Sequence, residues 1–233
     1  MTVKLLHSTP LWVASTAIRK CWASEDKSDT KEIYTVMSEF DEDGEFVKEY
    51  QTSIKTCGPK DKELIERVGN KNKHASTLEH LNYSFDIDGI SRACLQELAR
   101  HRMASLSVKS TRYTLKELRN EEPFEDYHED ISRANKYIVY SDDCDVDECS
   151  MKALENLRQI LNMNTGNDVA KYCLPESYIT SLVWTVNARS LQNFLSLRTD
   201  KSALWEIRYL AKEIFNKLPE EHKYLFKDFV KEY

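Results

Sequence analysis

Apolar and polar residues alternate with a period of two in His80 to Ile87, and Ile179 to Val186 is the most β-prone run in the chain; both predict strands. Val3 to Leu6 reads as a further short strand. Helical spacing follows Pro10, where Leu11 to Trp22 forms an amphipathic pattern, and a more polar helix is expected over Lys60 to Asn72. Gly89 is expected to break the strand before it, and Ser91 suits the N-cap of a helix reaching about Arg102. The serine-rich residues 103 to 115 read as an ordered loop. Helices are expected over Met151 to Asn164, Asp168 to Leu174 (stopped by Pro175), Ala188 to Leu197 and Ser202 to Leu218.

Two acidic stretches interrupt this pattern. Residues 24 to 60 predict a helix and loops with a solvated face, and Glu121 to Glu148 separates the two halves of the chain. The elements on either side are too few to close separate cores. The expectation is one α+β domain over residues 1–233, a small antiparallel or mixed sheet packed by helices, with no internal repeat.

Composition narrows the chemistry. Only five glycines occur in 233 residues, and they are too scattered for a Rossmann fingerprint or a P-loop. A nucleotide bound here must therefore be held by side chains and helix ends. The net charge of −6 argues against a sequence-indifferent nucleic-acid binder. Six cysteines without a C-x-x-C pair suit a reducing, cytoplasmic setting. No signal-peptide order opens the chain and no apolar run approaches the ~18 residues of a membrane span, so no membrane partner is expected.

Against this acidic background, Arg92 to Arg119 carries seven basic residues and two acidic ones. Such a run is most simply a solvated face. Here, however, the bases are interleaved with hydroxyls in RHRMASLSVKSTRY, a set that suits a phosphate dianion.

Arg100-His101-Arg102, seven residues and Ser110 match the R-H-R-x7-S signature, and in this the chain resembles the flavin-dependent thymidylate synthase family. HASTLEH (74–80), SRACLQELARHR (91–102), LP (174–175), WTVNARSLQNFLSLR (184–198) and WEIRYLA (205–211) resemble further family blocks, with a weaker echo in STAIRKCW. The likeness runs from about residue 65 to 218.

The resemblance implies reductive methylation of dUMP to dTMP, with FAD as cofactor and NADPH and 5,10-methylenetetrahydrofolate as co-substrates. It implies a homotetramer whose active sites are shared between subunits. No cysteine here precedes His-Gln, which fits a route without a cysteine nucleophile. Arg198 would be the catalytic residue, contacting the uracil and favouring its ionised form; read from spacing alone, it is an arginine at a helix end. Asn187, Arg189 and Asn193 would contact the flavin, as would Arg100, His101 and Arg102, with Arg100 also reaching the nucleotide. Without the motif, His101 reads as a structural histidine. Ser76 would meet the flavin's phosphate or ribityl region. Ser110, Arg112 and Lys171 would bind the substrate phosphate.

The spacing of His74, Glu79 and His80 is not that of H-E-x-x-H, so no metal is expected. Leu191 and Leu195 form an apolar pair expected in the core. Three positions depart from the family pattern. Lys171 replaces an arginine, Val108 a polar residue, and Glu97 a glutamine; Glu97 is expected to pair with Arg92 or Arg100. These departures leave a second possibility, a catalytically impaired relative that still holds flavin or nucleotide. An RNA-binding module built on the basic loop is a third, disfavoured by the acidity of the whole.

Overall fold

The computed structural model describes residues 1–231. Its main sheet has four strands: β1 (Thr2–Ser8), β4 (Asn82–Ser91), β6 (Ile179–Asn187) and β5 (Ala104–Val108), in the spatial order β1-β4-β6-β5. Every pairing is antiparallel. Alternation in β4 and β6 buries Tyr83, Phe85, Ile87, Leu182, Trp184 and Val186 on one face, with Phe85 opposite Trp184. The other face is polar, and the Ser84 and Thr185 hydroxyls meet across it at 2.8 Å.

Helices α1 (Trp12–Cys21), α3 (Arg92–Ala99), α9 (Ala188–Arg198) and α10 (Trp205–Asn216) pack around the apolar face. Ala14 and Ile18, Cys94 and Leu98, Leu191, Phe194 and Leu195, and Ile207, Leu210 and Ile214 supply their buried stripes. Helix α2 (Pro59–Ile65) begins with proline in its first turn and runs on through a wider π-helical segment, Glu66–Lys71.

A second apolar cluster lies beyond the sheet. It is built by α5 (Lys116–Arg119), α6 (Tyr127–Ala134), α7 (Cys144–Asn162) and α8 (Asn167–Ala170), with Leu118, Leu154, Leu157 and Leu161 fully or almost fully buried. The acidic stretch over Glu121 to Glu148 is thus structured. Asp126 and Asp143 cap α6 and α7, and each accepts two backbone N–H groups.

Three expectations need correction. Residues 24 to 60 hold no long helix. They form a hairpin of β2 (Lys31–Phe40) and β3 (Phe46–Thr56), exposed along its whole length. Apolar residues on the arm, such as Ile33, Met37, Tyr50 and Ile54, sit among charges that mask the strand alternation. Gly89 does not end β4; it takes a positive φ of 78° at a register shift, and pairing resumes at Ile90. Residues 103 to 115 are not simply a loop, because ASLSV pairs with β6 as β5 and α4 (Thr111–Thr114) follows.

Candidate active site

Two elements bring the signature together. Ser91 caps α3 by accepting from the Cys94 amide, and α3 ends at Ala99, releasing Arg100, His101 and Arg102 into the turn before β5. Asn187 caps α9 in the same way, its Oδ1 accepting from the Ser190 amide at 2.9 Å. Leu191, Phe194 and Leu195 fix one side of α9 in the core, as expected for the apolar pair. Arg189, Asn193 and Leu197 are left on the exposed side.

These segments line one cleft of about 890 Å³. Of the residues expected to act, Arg100, His101, Arg102, Asn187, Arg189, Asn193 and Arg198 all face it. The cleft also takes in Glu79, which the sequence raised only as part of a rejected metal set, and Met103, Ser190 and Leu197, which it did not single out. Glu79 accepts from Arg189 at 2.8 Å. The HASTLEH segment could have flagged Glu79; Met103 and Leu197 gave no signal beyond adjacency to the motifs.

Arg198 is the most constrained side chain in the cleft. Its Nε donates to His101 Nε2 at 2.9 Å, one terminal nitrogen to Glu97 Oε2 at 2.6 Å, and the other to the Glu97 carbonyl at 3.2 Å. Glu97 also accepts from Arg100 at 3.3 Å. The pairing of Glu97 with Arg100 matches one of the two expected partners, while its closer bond to Arg198 was not anticipated. His101 is buried, and its ring meets Phe194 edge to face at 5.0 Å. Burial, aided by the Arg198 and Arg100 charges, pushes the imidazole down to about 4. It is therefore neutral at pH 7, with Nε2 free to accept.

The remaining predicted residues lie elsewhere on the chain. Ser110 precedes α4 and is exposed. Arg112 is forked onto Asp168 at 2.6 and 3.4 Å, both side chains being largely exposed. Lys171 opens the single 3-10 turn after α8. These three therefore lie on segments around α4 and α8, outside the cleft of their own chain. Ser76 is exposed on the 3-10 segment Ala75–His80. Among the described residues no three His, Cys, Asp or Glu side chains gather as a metal site.

The donor set suits a dinucleotide cofactor. Four guanidinium groups, from Arg100, Arg102, Arg189 and Arg198, can meet anionic phosphates, the Asn187 and Asn193 amides can bond ring or ribityl polar atoms, and Met103 and Leu197 offer apolar contact.

Fold and cleft together define an α+β protein with an arginine-lined cleft whose donors suit anionic nucleotide ligands without a glycine loop. A family model described as thymidylate synthase complementing protein matches residues 4–222. The chain belongs to the flavin-dependent thymidylate synthase family. It is 57% identical over 226 residues to the flavin-dependent thymidylate synthase of Wolinella succinogenes, covering 97% of each chain. With the Helicobacter pylori protein of the same name it shares 50% identity over 233 residues, covering 99% of this chain and 100% of that one. A crystal structure of thymidylate synthase X from Helicobacter pylori with FAD and dUMP matches the fold with a TM-score of 0.85. That match is at 49% identity and covers 100% of both chains.

Proposed function

We propose that this chain is a flavin-dependent thymidylate synthase, converting dUMP to dTMP by reductive methylation. 5,10-Methylenetetrahydrofolate donates the carbon and NADPH reduces the bound FAD. The observation that carries this reading is the convergence of Arg100, His101, Arg102, Asn187, Arg189, Asn193 and Arg198 on one cleft. When bound, FAD supplies the hydride carrier.

Arg198 is the catalytic residue in this reading. Three of its N–H groups are committed to Glu97 and His101, so about two of the five on a guanidinium remain for a pyrimidine carbonyl. A guanidinium stays charged at neutral pH and stabilises negative charge building on the ring. His101, neutral at that pH, adds no competing charge and holds Arg198 by accepting from Nε. Arg100, Arg102, Arg189 and the two asparagines hold the flavin, and Ser76 reaches its phosphate or ribityl region.

Ser110, Arg112 and Lys171 form the phosphate anchor for dUMP. Because they lie away from the cleft of their own chain, the complete site draws them from another copy, and the enzyme works as a homotetramer with shared sites. Each copy acts as one domain over residues 1–233. All six cysteines are unpaired thiols, in keeping with a reducing cytoplasm. Among the described residues no helix is long and apolar enough to cross a membrane.

The impaired-relative reading leaned on Glu97 and Val108. Glu97 is bound by two arginines, so its charge is compensated locally. Val108 pairs with Leu182 at the end of β5, two residues before Ser110, and brings no opposing charge to the phosphate anchor. Incubating the purified protein with dUMP, methylenetetrahydrofolate and NADPH should yield dTMP. Binding of dUMP without product would favour the impaired relative, and no binding would refute both readings.

A further inference from the structure

Glu97 and Arg198 stand on the wall between two openings. Arg198 lines the 890 Å³ cleft and also, with Glu97, a smaller one of about 530 Å³ bounded by Gln96, Glu176, Ser202 and Leu204. The pair is half-sheltered, with the Arg198 side chain 14% exposed and that of Glu97 30%. Glu97 binds Arg198 twice, through its carboxylate and through its own backbone carbonyl. A side chain held at three of its nitrogens loses most of its rotamer freedom, so its remaining donors point in one direction.

The contact has an electrostatic consequence as well. A carboxylate 2.6 Å from the guanidinium cancels part of the field that Arg198 projects toward a neighbouring pyrimidine. An amide at this position would keep an accepting oxygen without the charge. The other charged groups around the pair do not replace that effect. Arg100 follows on the same turn and shares the carboxylate. Glu176, before β6, bonds to Gln96. Glu206, in the first turn of α10, accepts from both the amide and the hydroxyl of Ser91. His101 is uncharged through the neutral range.

We infer that Glu97 is a positioning residue for the pyrimidine chemistry, fixing where the Arg198 guanidinium stands while reducing how strongly its charge favours the ionised ring. This rests on the function proposed above. It gives Glu97 two separable effects, placement and charge compensation, which two substitutions divide. Glu97→Gln keeps an acceptor and removes the charge. Glu97→Asp keeps the charge and withdraws it by one methylene from Arg198.

The test uses the FAD-loaded enzyme with dUMP, following ionisation of the bound pyrimidine N3–H by ultraviolet difference absorbance against pH, beside kcat and KM for dUMP. Flavin retention and a thermal melt establish that each variant is folded. In Glu97→Gln the bound ring should ionise about one pH unit lower than in the parent enzyme. In Glu97→Asp the ionisation should stay near the parent value while kcat falls about tenfold, with KM changed less than threefold. A parent enzyme that binds no dUMP would sink the proposed function together with this role. Bound dUMP that ionises at the same pH in the parent and in Glu97→Gln would overturn the role of Glu97 alone. The same holds if Glu97→Asp turns over as fast as the parent.

Discussion

Arg198 donates through Nε to His101 Nε2 at 2.9 Å, a bond that only a neutral imidazole can accept. It joins the end of α9 to the turn after α3, residues 97 apart in sequence, and it fixes the tautomer with the proton on Nδ1. The Phe194 ring supports the imidazole from the core side. Arg198 is thus held by its neighbours before any ligand arrives, which is the condition for electrostatic stabilisation without reorganisation.

Arg198→Ala should leave the flavin in place, since Arg100, Arg102 and Arg189 remain in the cleft. The kcat for dTMP formation should fall by roughly 10²-fold or more. Flavin absorbance per protein chain and initial rates measure the two effects separately. Equal loss of both would show that the end of α9 holds the cofactor rather than the reacting ring.

Stability should decline on acidification below neutrality. His101 and His222 are both pushed down to about 4, chiefly by burial, from an ordinary value of 6.5. Between those values the unfolded chain binds more protons than the folded one, so stability is fully present above pH 6.5 and lost as pH falls toward 4. Each histidine contributes on the order of 1–3 kcal/mol to that loss. His222 sits 2.8 Å from the Tyr83 hydroxyl, so His222→Asn should flatten the slope of Tm against pH. A Tm unchanged between pH 7 and pH 5 would contradict this account.

Arg112→Ala should raise the KM for dUMP about tenfold with little change in kcat, because a phosphate anchor serves ground state and transition state alike. Its pair with Asp168 is exposed and contributes little to folding, so the melt should barely move. Lys171→Arg should lower the KM severalfold by restoring a two-pronged donor. A fall in kcat alone for Arg112→Ala would remove it from the anchor.

The base of the exposed hairpin depends on Asp61. Its carboxylate is fully buried, bonds Arg19, and accepts the hydroxyls of Ser28 at 2.6 Å and Thr30 at 2.7 Å. Asp29 in turn receives the Lys60 and Asp61 amides at the start of α2. Asp61→Ala strands a buried guanidinium and two hydroxyls and should cost about 3–5 kcal/mol. Urea unfolding monitored by circular dichroism would reveal it; a loss under about 1 kcal/mol would show that water compensates the site.

Much of this could be read in the chain. β4 follows from alternation and β6 from its β-prone composition, and Ser91 and Pro175 mark element ends because caps and proline act locally. β5 escaped because ASLSV, although it alternates, is only five residues long, half-exposed at the sheet edge and set in a serine-rich, basic run. The hairpin escaped for a related reason: with neither face buried, no one-sided apolar pattern marks its strands. The cleft residues were legible through the family likeness rather than through periodicity. The Glu97–Arg198 bond was not, since their meeting depends on how α3 and α9 pack.

The visible spectrum of the purified protein, before and after anaerobic NADPH, tests the central claim most directly. The account predicts bound FAD in the oxidised form, bleached by NADPH and perturbed by added dUMP. A colourless protein that takes up neither FAD nor dUMP would contradict it.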